Sequence, residues 1–238
     1  TFLSELRLIM AGYIDIFRKI IVVVPYTLFL AILILIIGVL GGSVLAVVKN
    51  KKLVFLNTII DLYISYIRGV PIVVHLLIAQ AMLPQIVEGF YKLSGKEVLN
   101  PDIPAFVIVL VCYSSYQIAI ESENLRGIYQ SFDKAQLEAG LSIGLTLGQV
   151  FRRIVIPQLI PTAIPILLNS FLKIVRTLSV AFLVGVVDIM ASARYVAALT
   201  SNYVLSFVVA GLIYWFICLS IEGLLRLFSI GLKLSEYR

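Results

Sequence analysis

Charge is what this chain has least of. Asp, Glu, Lys and Arg make up only 13% of its 238 residues, against 61% hydrophobic ones, whereas soluble domains run near a quarter charged. A soluble globular domain is set aside on that ground. Histidine and cysteine are nearly missing as well: His75, Cys112 and Cys218 are the whole supply. They make no set with metal-ligand spacing, and no Ser/His/Asp group or glycine-rich phosphate loop accompanies them. An intramembrane enzyme is disfavoured accordingly. Both cysteines lie in apolar stretches and read as small buried hydrophobes rather than as a disulfide. No cleavable leader is evident, because the first apolar run starts late and is too long for one. Thr1 in place of a methionine reads as a trimmed start.

Long apolar runs are abundant instead. A helix crosses a bilayer with about 20 apolar residues, and five stretches fit that scale, at roughly 20–48, 53–82, 104–120, 160–187 and 203–228. Ahead of them, residues 1–19 place Leu3, Leu6, Met10, Ile14 and Phe17 at spacings of three and four. Glu5, Arg7, Asp15, Arg18 and Lys19 fall mostly elsewhere on the wheel, which predicts an amphipathic helix in the membrane interface. The expected fold class is all-α: a polytopic membrane protein whose five transmembrane helices occupy 20–238, behind an N-terminal interfacial helix over 1–19.

The spans carry a few polar exceptions. The first holds Gly38, Gly41 and Gly42, and the Gly38/Gly42 pair lets helices approach closely, within the chain or between copies. In the second, Asp61 and Arg68 stand on one helix face, placed to neutralise each other or other partners. Arg68-Gly69-Val70-Pro71 comes next. Proline breaks the helix behind it, and a charge beside a break inside a span marks a functional site. The plainer alternative is an interfacial arginine next to a kink. The third span runs Tyr113, Ser114, Ser115, Tyr116, Gln117, which predicts an inward-looking helix. The fourth contains Asn169, Lys173, Arg176, Thr177 and Ser179. A polar loop is expected over 84–102 and a short segment over 188–201. Glu222 and Arg226, four apart, are expected to pair where the fifth span ends.

One polar interruption is longer than the rest. Residues 121–158 bring together Glu123, Arg126, Asp133, Lys134, Glu138, Arg152 and Arg153. The net charge of +6 is no signal for nucleic acid, because cytoplasmic loops of membrane proteins are enriched in Lys and Arg. Basic residues predominate on the side holding the turn at 49–52, the 121–158 loop and the C-terminal tail. The positive-inside rule therefore puts that loop and the C-terminus in the cytoplasm and the N-terminus outside.

The loop resembles the cytoplasmic signature of permease subunits of bacterial ATP-binding cassette importers: EAA, three residues, Gly, nine residues, Ile, one residue, Leu-Pro. Glu138, Ala139, Gly140, Gly144, Ile154, Ile156 and Pro157 stand at those spacings, with Gly140 for the second alanine and Ile156 for the leucine. The chain is further similar to the branch importing polar amino acids. Glu123, Arg126 and Gly127 match its E-x-x-R-G, with Gln130-Ser131 behind; Arg68-Gly69-Val70-Pro71 matches its Arg-Gly-Thr-Pro; Thr27-Leu28, Pro157-Gln158 and Asn169 agree as well. Two departures stand out. Val70 replaces a threonine, and Arg176-Thr177-Leu178-Ser179-Val180 replaces Lys-Asp-Thr-Ser-Leu, so the branch's carboxylate is absent. The run AFLVGVVDIM is similar to that of permeases for cystine-type substrates.

The resemblance implies a non-catalytic, multi-pass permease subunit of the bacterial inner membrane. Its partners would be an ATPase subunit, a second permease copy or paralogue, an extracytoplasmic solute-binding protein and membrane lipid. ATP and Mg would be held by the ATPase, leaving this chain without a cofactor. The 121–158 loop would form a short cytoplasmic coupling helix docking on the ATPase, with Lys134, Ala135, Glu138, Ala139, Gly140 and Gly144 as its contact set. The substrate would be a polar amino acid, cystine among the candidates, moved by alternating access. Its path is expected at Arg68, Gly69, Pro71, Gln117, Asn169, Arg176, Thr177 and Ser179, with the arginines placed to meet a carboxylate. Helix–helix hydrogen bonding is the plainer role for the neutral members. The competing function is a secondary transporter or channel not driven by ATP. Inverted repeats would favour it, and none is visible across the five spans.

Overall fold

The computed structural model describes residues 2–51, 53–96, 98–99 and 101–236, with side chains within 12–224 and at 226. Lys52, Glu97 and Arg238, and the side chains of Leu3, Glu5, Leu6, Arg7, Met10 and Lys233, lie outside the described residues. The described chain is helical throughout. In order it runs α1 (Phe2–Ile21), α2 (Val24–Asn50), α3 (Val54–Gly69), α4 (Ile72–Leu93), α5 (Ala105–Gln130), α6 (Lys134–Ser142), α7 (Leu147–Val150), α8 (Ile156–Thr177), α9 (Ile189–Thr200) and α10 (Tyr203–Glu236). A π turn, Phe151–Val155, joins α7 to α8, and a 3-10 turn, Leu178–Val184, follows α8. Five helical stretches are long and apolar enough to cross a membrane: Gly12–Asn50, Ile72–Leu93, Ala105–Gln130, Leu147–Val184 and Tyr203–Leu224. The all-α, five-span class is the observed one.

α2 and α5 form the most extensive helix pair, and small residues are the reason. A Cβ at Gly42 would lie 2.8 Å from the backbone nitrogen of Ser122, and one at Gly38 would collide with the Gln117 side chain. The glycines of the first span thus serve packing inside the chain, letting two backbones meet. Around the contact lie Leu30, Ile34, Val109, Tyr113, Val175 and Leu178, all but sealed from solvent. A second cluster packs α1 on α9 and α10 through Ile16, Ile20, Ile189, Ala193 and Val209. Among the described side chains of α1, Ile16 and Ile20 are buried, while Ile14 and Phe17 of the expected apolar stripe are about half exposed. The helix therefore has one face on the bundle and another left for lipid.

Several boundaries differ from expectation, and each for a local reason. The second span divides: α3 stops at Gly69, Val70 is extended at φ −106° and ψ 133°, and α4 starts behind Pro71. The membrane-length helix is α4, and it passes through Pro84 to Leu93 instead of becoming a loop there. A proline has helical φ and forfeits one hydrogen bond, which membrane helices tolerate. The third helix runs ten residues past Ile120, because the polar residues beyond it find partners within the fold. Glu121 is wholly buried and accepts from Gln117 Nε2 at 2.6 Å and Asn124 Nδ2 at 3.1 Å. The segment at 188–201 is itself helical: Asp188 caps α9 by accepting from Ala191 N at 2.9 Å, and Tyr214 donates to its other oxygen at 3.1 Å. Burial pushes the Asp188 carboxyl above the usual carboxylate range, against the pull of those donors. Glu222 and Arg226 form no ion pair among the described residues.

Candidate functional site

The segment between α5 and α8 is a folded element of its own. Asp133 caps α6, accepting from Ala135 N at 3.0 Å. Gly144, at φ +88°, turns the chain out of α6 in the left-handed region that favours glycine. Thr146 and Gln149 then form a reciprocal capping box on α7. Beneath the turns Phe132, Val150 and Val155 make a small core with Leu137, Leu145 and Ile154. Gly140 belongs to that core: a Cβ there would sit 3.0 Å from both Val150 and Ile154 side-chain atoms. Lys134, Ala135, Glu138 and Ala139 are exposed on the other face. Of the six loop residues singled out by sequence, four are thus presented outward, Gly140 is turned inward and Gly144 makes the turn. Ile143 and Leu147, 78% and 60% exposed, continue the outward apolar surface.

An ion cluster joins three of the helices that precede this loop. Lys49 bridges Asp61 at 2.7 Å and Glu123 at 2.8 Å, and Arg126 reaches the other Glu123 oxygen at 2.6 Å. The cluster ties the end of α2 to α3 and α5. Asp61 is therefore neutralised by Lys49, and Arg68 has no carboxylate partner among the described residues. Spacing along one helix face left Asp61 to Arg68 or to another partner, and Lys49 arrives from another helix with a long flexible stem.

The residues proposed for a substrate path separate into two groups. Gln117 is buried on Glu121, the Thr177 hydroxyl donates to the Lys173 and Ile174 carbonyls, and Ser179 donates to the Arg176 carbonyl. Gln117 is thereby occupied inside the fold, while the half-buried Thr177 and Ser179 hydroxyls are turned back on their own helical turns. Tyr113 is likewise buried and donates to the Thr177 carbonyl. Asn169, Lys173 and Arg176, spaced by four and three, form an exposed stripe along α8. Arg68, Gly69 and Pro71 are exposed at the α3–α4 break. The Lys173 ammonium stands 5.7 Å from the Tyr116 ring centre. Tyr116 is edge-on to His75 at 6.1 Å, and His75 to Tyr66 at 5.1 Å. His75 and Tyr66 were not picked out by sequence reasoning. Their only signal was a lone histidine one turn behind the Arg-Gly-Val-Pro break. A charged side chain placed mid-span costs about 2.5–3.5 kcal/mol on insertion scales, and such residues face water or protein rather than lipid. A cavity of about 340 Å³ lies elsewhere, between the 3-10 turn and α9, where Arg194 stacks 4.4 Å over the Phe182 ring.

These features define a multi-pass, all-helical membrane protein with a compact helical loop set between two spans and a cationic stripe on the helix that follows. The chain belongs to the family described as "Binding-protein-dependent transport system inner membrane component", which it matches over residues 38–233. It is 33% identical over 216 residues to the probable amino-acid permease protein YxeN of Bacillus subtilis (strain 168), covering 91% of this chain and 92% of the relative. It is 29% identical over 194 residues to the L-cystine transport system permease protein TcyB of the same organism, covering 81% and 77%. Among solved structures, one described as "Crystal structure of an amino acid ABC transporter with histidines" superposes with a TM-score of 0.73 at 28% identity, covering 94% of this chain and 97% of that one. The chain is accordingly a multi-pass inner-membrane component of a transport system.

Proposed function

We propose that this chain is the permease subunit of an ATP-driven importer that carries a polar amino acid, cystine among the candidates, into the cell by alternating access. Its partners are an ATPase subunit that binds ATP and Mg, a second permease copy or paralogue, and an extracytoplasmic solute-binding protein. The loop faces the cytoplasm with the C-terminus, and the N-terminus lies outside. The observation that carries the reading is the outward face of α6, where Lys134, Ala135, Glu138 and Ala139 stand exposed on a helix locked from behind by Gly140 and its small core. A rigid helix of small and charged residues can seat in a groove of a partner and transmit that partner's displacement. The Lys49–Glu123–Arg126 cluster gives the displacement a stiff route into α2, α3 and α5. Closure of the ATPase then moves the helices between inward-open and outward-open states, a transition between two packed arrangements. Arg68 and Arg176, at the α3–α4 break and on the α8 stripe, are placed to bind a carboxylate.

The test is Glu138→Lys in the reconstituted transporter with its ATPase and binding protein. ATP-dependent amino-acid uptake is expected to be lost while the permease still inserts and folds. Wild-type uptake together with normal ATPase association would remove α6 from the coupling role.

A further inference from the structure

Arg152 and Arg153 belong to the polar interruption but have no part in the outward face of α6. Both lie exposed in the π turn Phe151–Val155, and neither meets a carboxylate among the described residues. What the two share is a space: with Thr146, Gly148 and Gln149 they line one cleft of about 640 Å³, and no acidic side chain lines it. The capping box has already used acceptors there. Gln149 Oε1 accepts from Thr146 N at 2.9 Å, and Thr146 Oγ1 accepts from Gln149 N at 3.4 Å. The Thr146 carbonyl accepts from Val150 N at 2.9 Å, and the Gly148 carbonyl from Phe151 N. Left over are donors: Gln149 Nε2, the Thr146 hydroxyl proton and two guanidinium groups, which only donate. A Cβ at Gly148 would meet nothing within 4 Å, so the missing side chain keeps that part of the cleft open. A donor-rich, cationic cleft suits an anion with several oxygens, and guanidinium pairs with phosphate bidentately.

The surroundings indicate where such a phosphate comes from. The cleft lies at the start of Leu147–Val184, a stretch long and apolar enough to cross a membrane. Ile156 and Ile160, four and eight residues past Arg152, are 48% and 43% exposed. Cations followed by outward aliphatic side chains match the order in which a bilayer presents headgroups and then chains. We propose that this cleft binds the phosphate of an anionic membrane lipid, with Arg152 and Arg153 on the headgroup and the acyl chains along Ile156 and Ile160. The site is independent of the transport reading, because it requires only that the fourth span crosses the bilayer. A headgroup held there fixes the start of that span at the membrane surface, directly behind the turn that leaves α6.

The test measures lipid retained by the purified membrane protein, with the subunits that copurify, using native mass spectrometry in detergent. Phosphatidylglycerol and phosphatidylcholine of the same acyl composition are titrated, with and without inorganic phosphate. Wild type should hold phosphatidylglycerol about tenfold more tightly than phosphatidylcholine. Arg152→Gln/Arg153→Gln should erase that preference, and the charge-keeping Arg152→Lys/Arg153→Lys should retain most of it. Gly148→Leu keeps both cations and fills the cleft, so its phosphatidylglycerol binding should fall toward the phosphatidylcholine level. A general attraction between basic residues and anionic lipid would not respond to Gly148→Leu, and wild-type retention in that variant overturns the site. A wild-type preference below about twofold, or one unchanged in the Gln variant, overturns it as well. The latter result together with loss of a copurifying ATPase would give the arginines to that subunit. Displacement of the lipid by an equal concentration of inorganic phosphate would make the ligand a soluble anion and overturn the lipid source.

Discussion

Two polar regions interrupt this apolar chain, and they are built on opposite plans. The loop from Asp133 to Gln158 is shaped by its own packing: caps at Asp133 and Thr146, a left-handed Gly144, and a core of Phe132, Val150 and Val155 under Gly140. Its working face is a by-product of that rigidity, exposed because the other face is filled. The stripe Asn169–Lys173–Arg176 has no such support. It rides on a helix whose opposite side, at Leu172, Ile174 and Val175, is buried, so its polar members contribute little to the packing that holds the helix in place. Substitutions on the packed side of the first region, behind its working face, should cost structure first and transport as a consequence. Those in the second should cost transport alone.

The comparison can be broken in three further places, in order of expected effect. Gly140→Leu drives a side chain into Val150 and Ile154, and overpacking of this kind costs about 1–3 kcal/mol. Limited proteolysis should show the loop opened and uptake abolished, with the membrane helices still protected. A protected loop would mean the inward packing is not what shapes it. Asp133→Ala removes the α6 cap for about 1 kcal/mol and should reduce uptake partially, with Asp133→Asn nearly silent. Equal loss in both variants would point to the charge rather than the cap. Asn169→Ala should shift the stability of the purified protein by no more than about 0.5 kcal/mol while altering the half-saturation of uptake. A clear drop in thermal midpoint would make the stripe structural and erase the contrast.

Much of this was legible from residue order. Span count follows from hydropathy because a bilayer admits only helices whose backbone is satisfied internally, and that condition is local. The break at Val70 was visible because proline constrains its neighbour directly. The short helix of the loop followed from the EAA-like signature, whereas the Asp133 cap and the inward side of Gly140 did not. Partner choice was not legible. Lys49 lies 74 residues from Glu123, and nothing in its neighbourhood announces that pairing. Spacing left Asp61 and Arg68 to neutralise each other or to meet other partners, and for Asp61 the partner is a cation from another helix.

By itself, then, the sequence determined an all-helical, five-span protein, the loop's position between its third and fourth spans, and the rows of glycine on α2 and of cations on α8. Periodicity and proline chemistry act within a few residues, so these properties can be read along the chain. Only the tertiary structure decided that the glycines of α2 close on Gln117 and Glu121, that Gly140 faces inward, and that Gln117 is spent on an internal hydrogen bond. It also left Lys173 and Arg176 uncompensated beside an aromatic layer reaching His75. A buried polar group takes whatever donor or acceptor lies across from it, and what lies across is known only once the helices have packed.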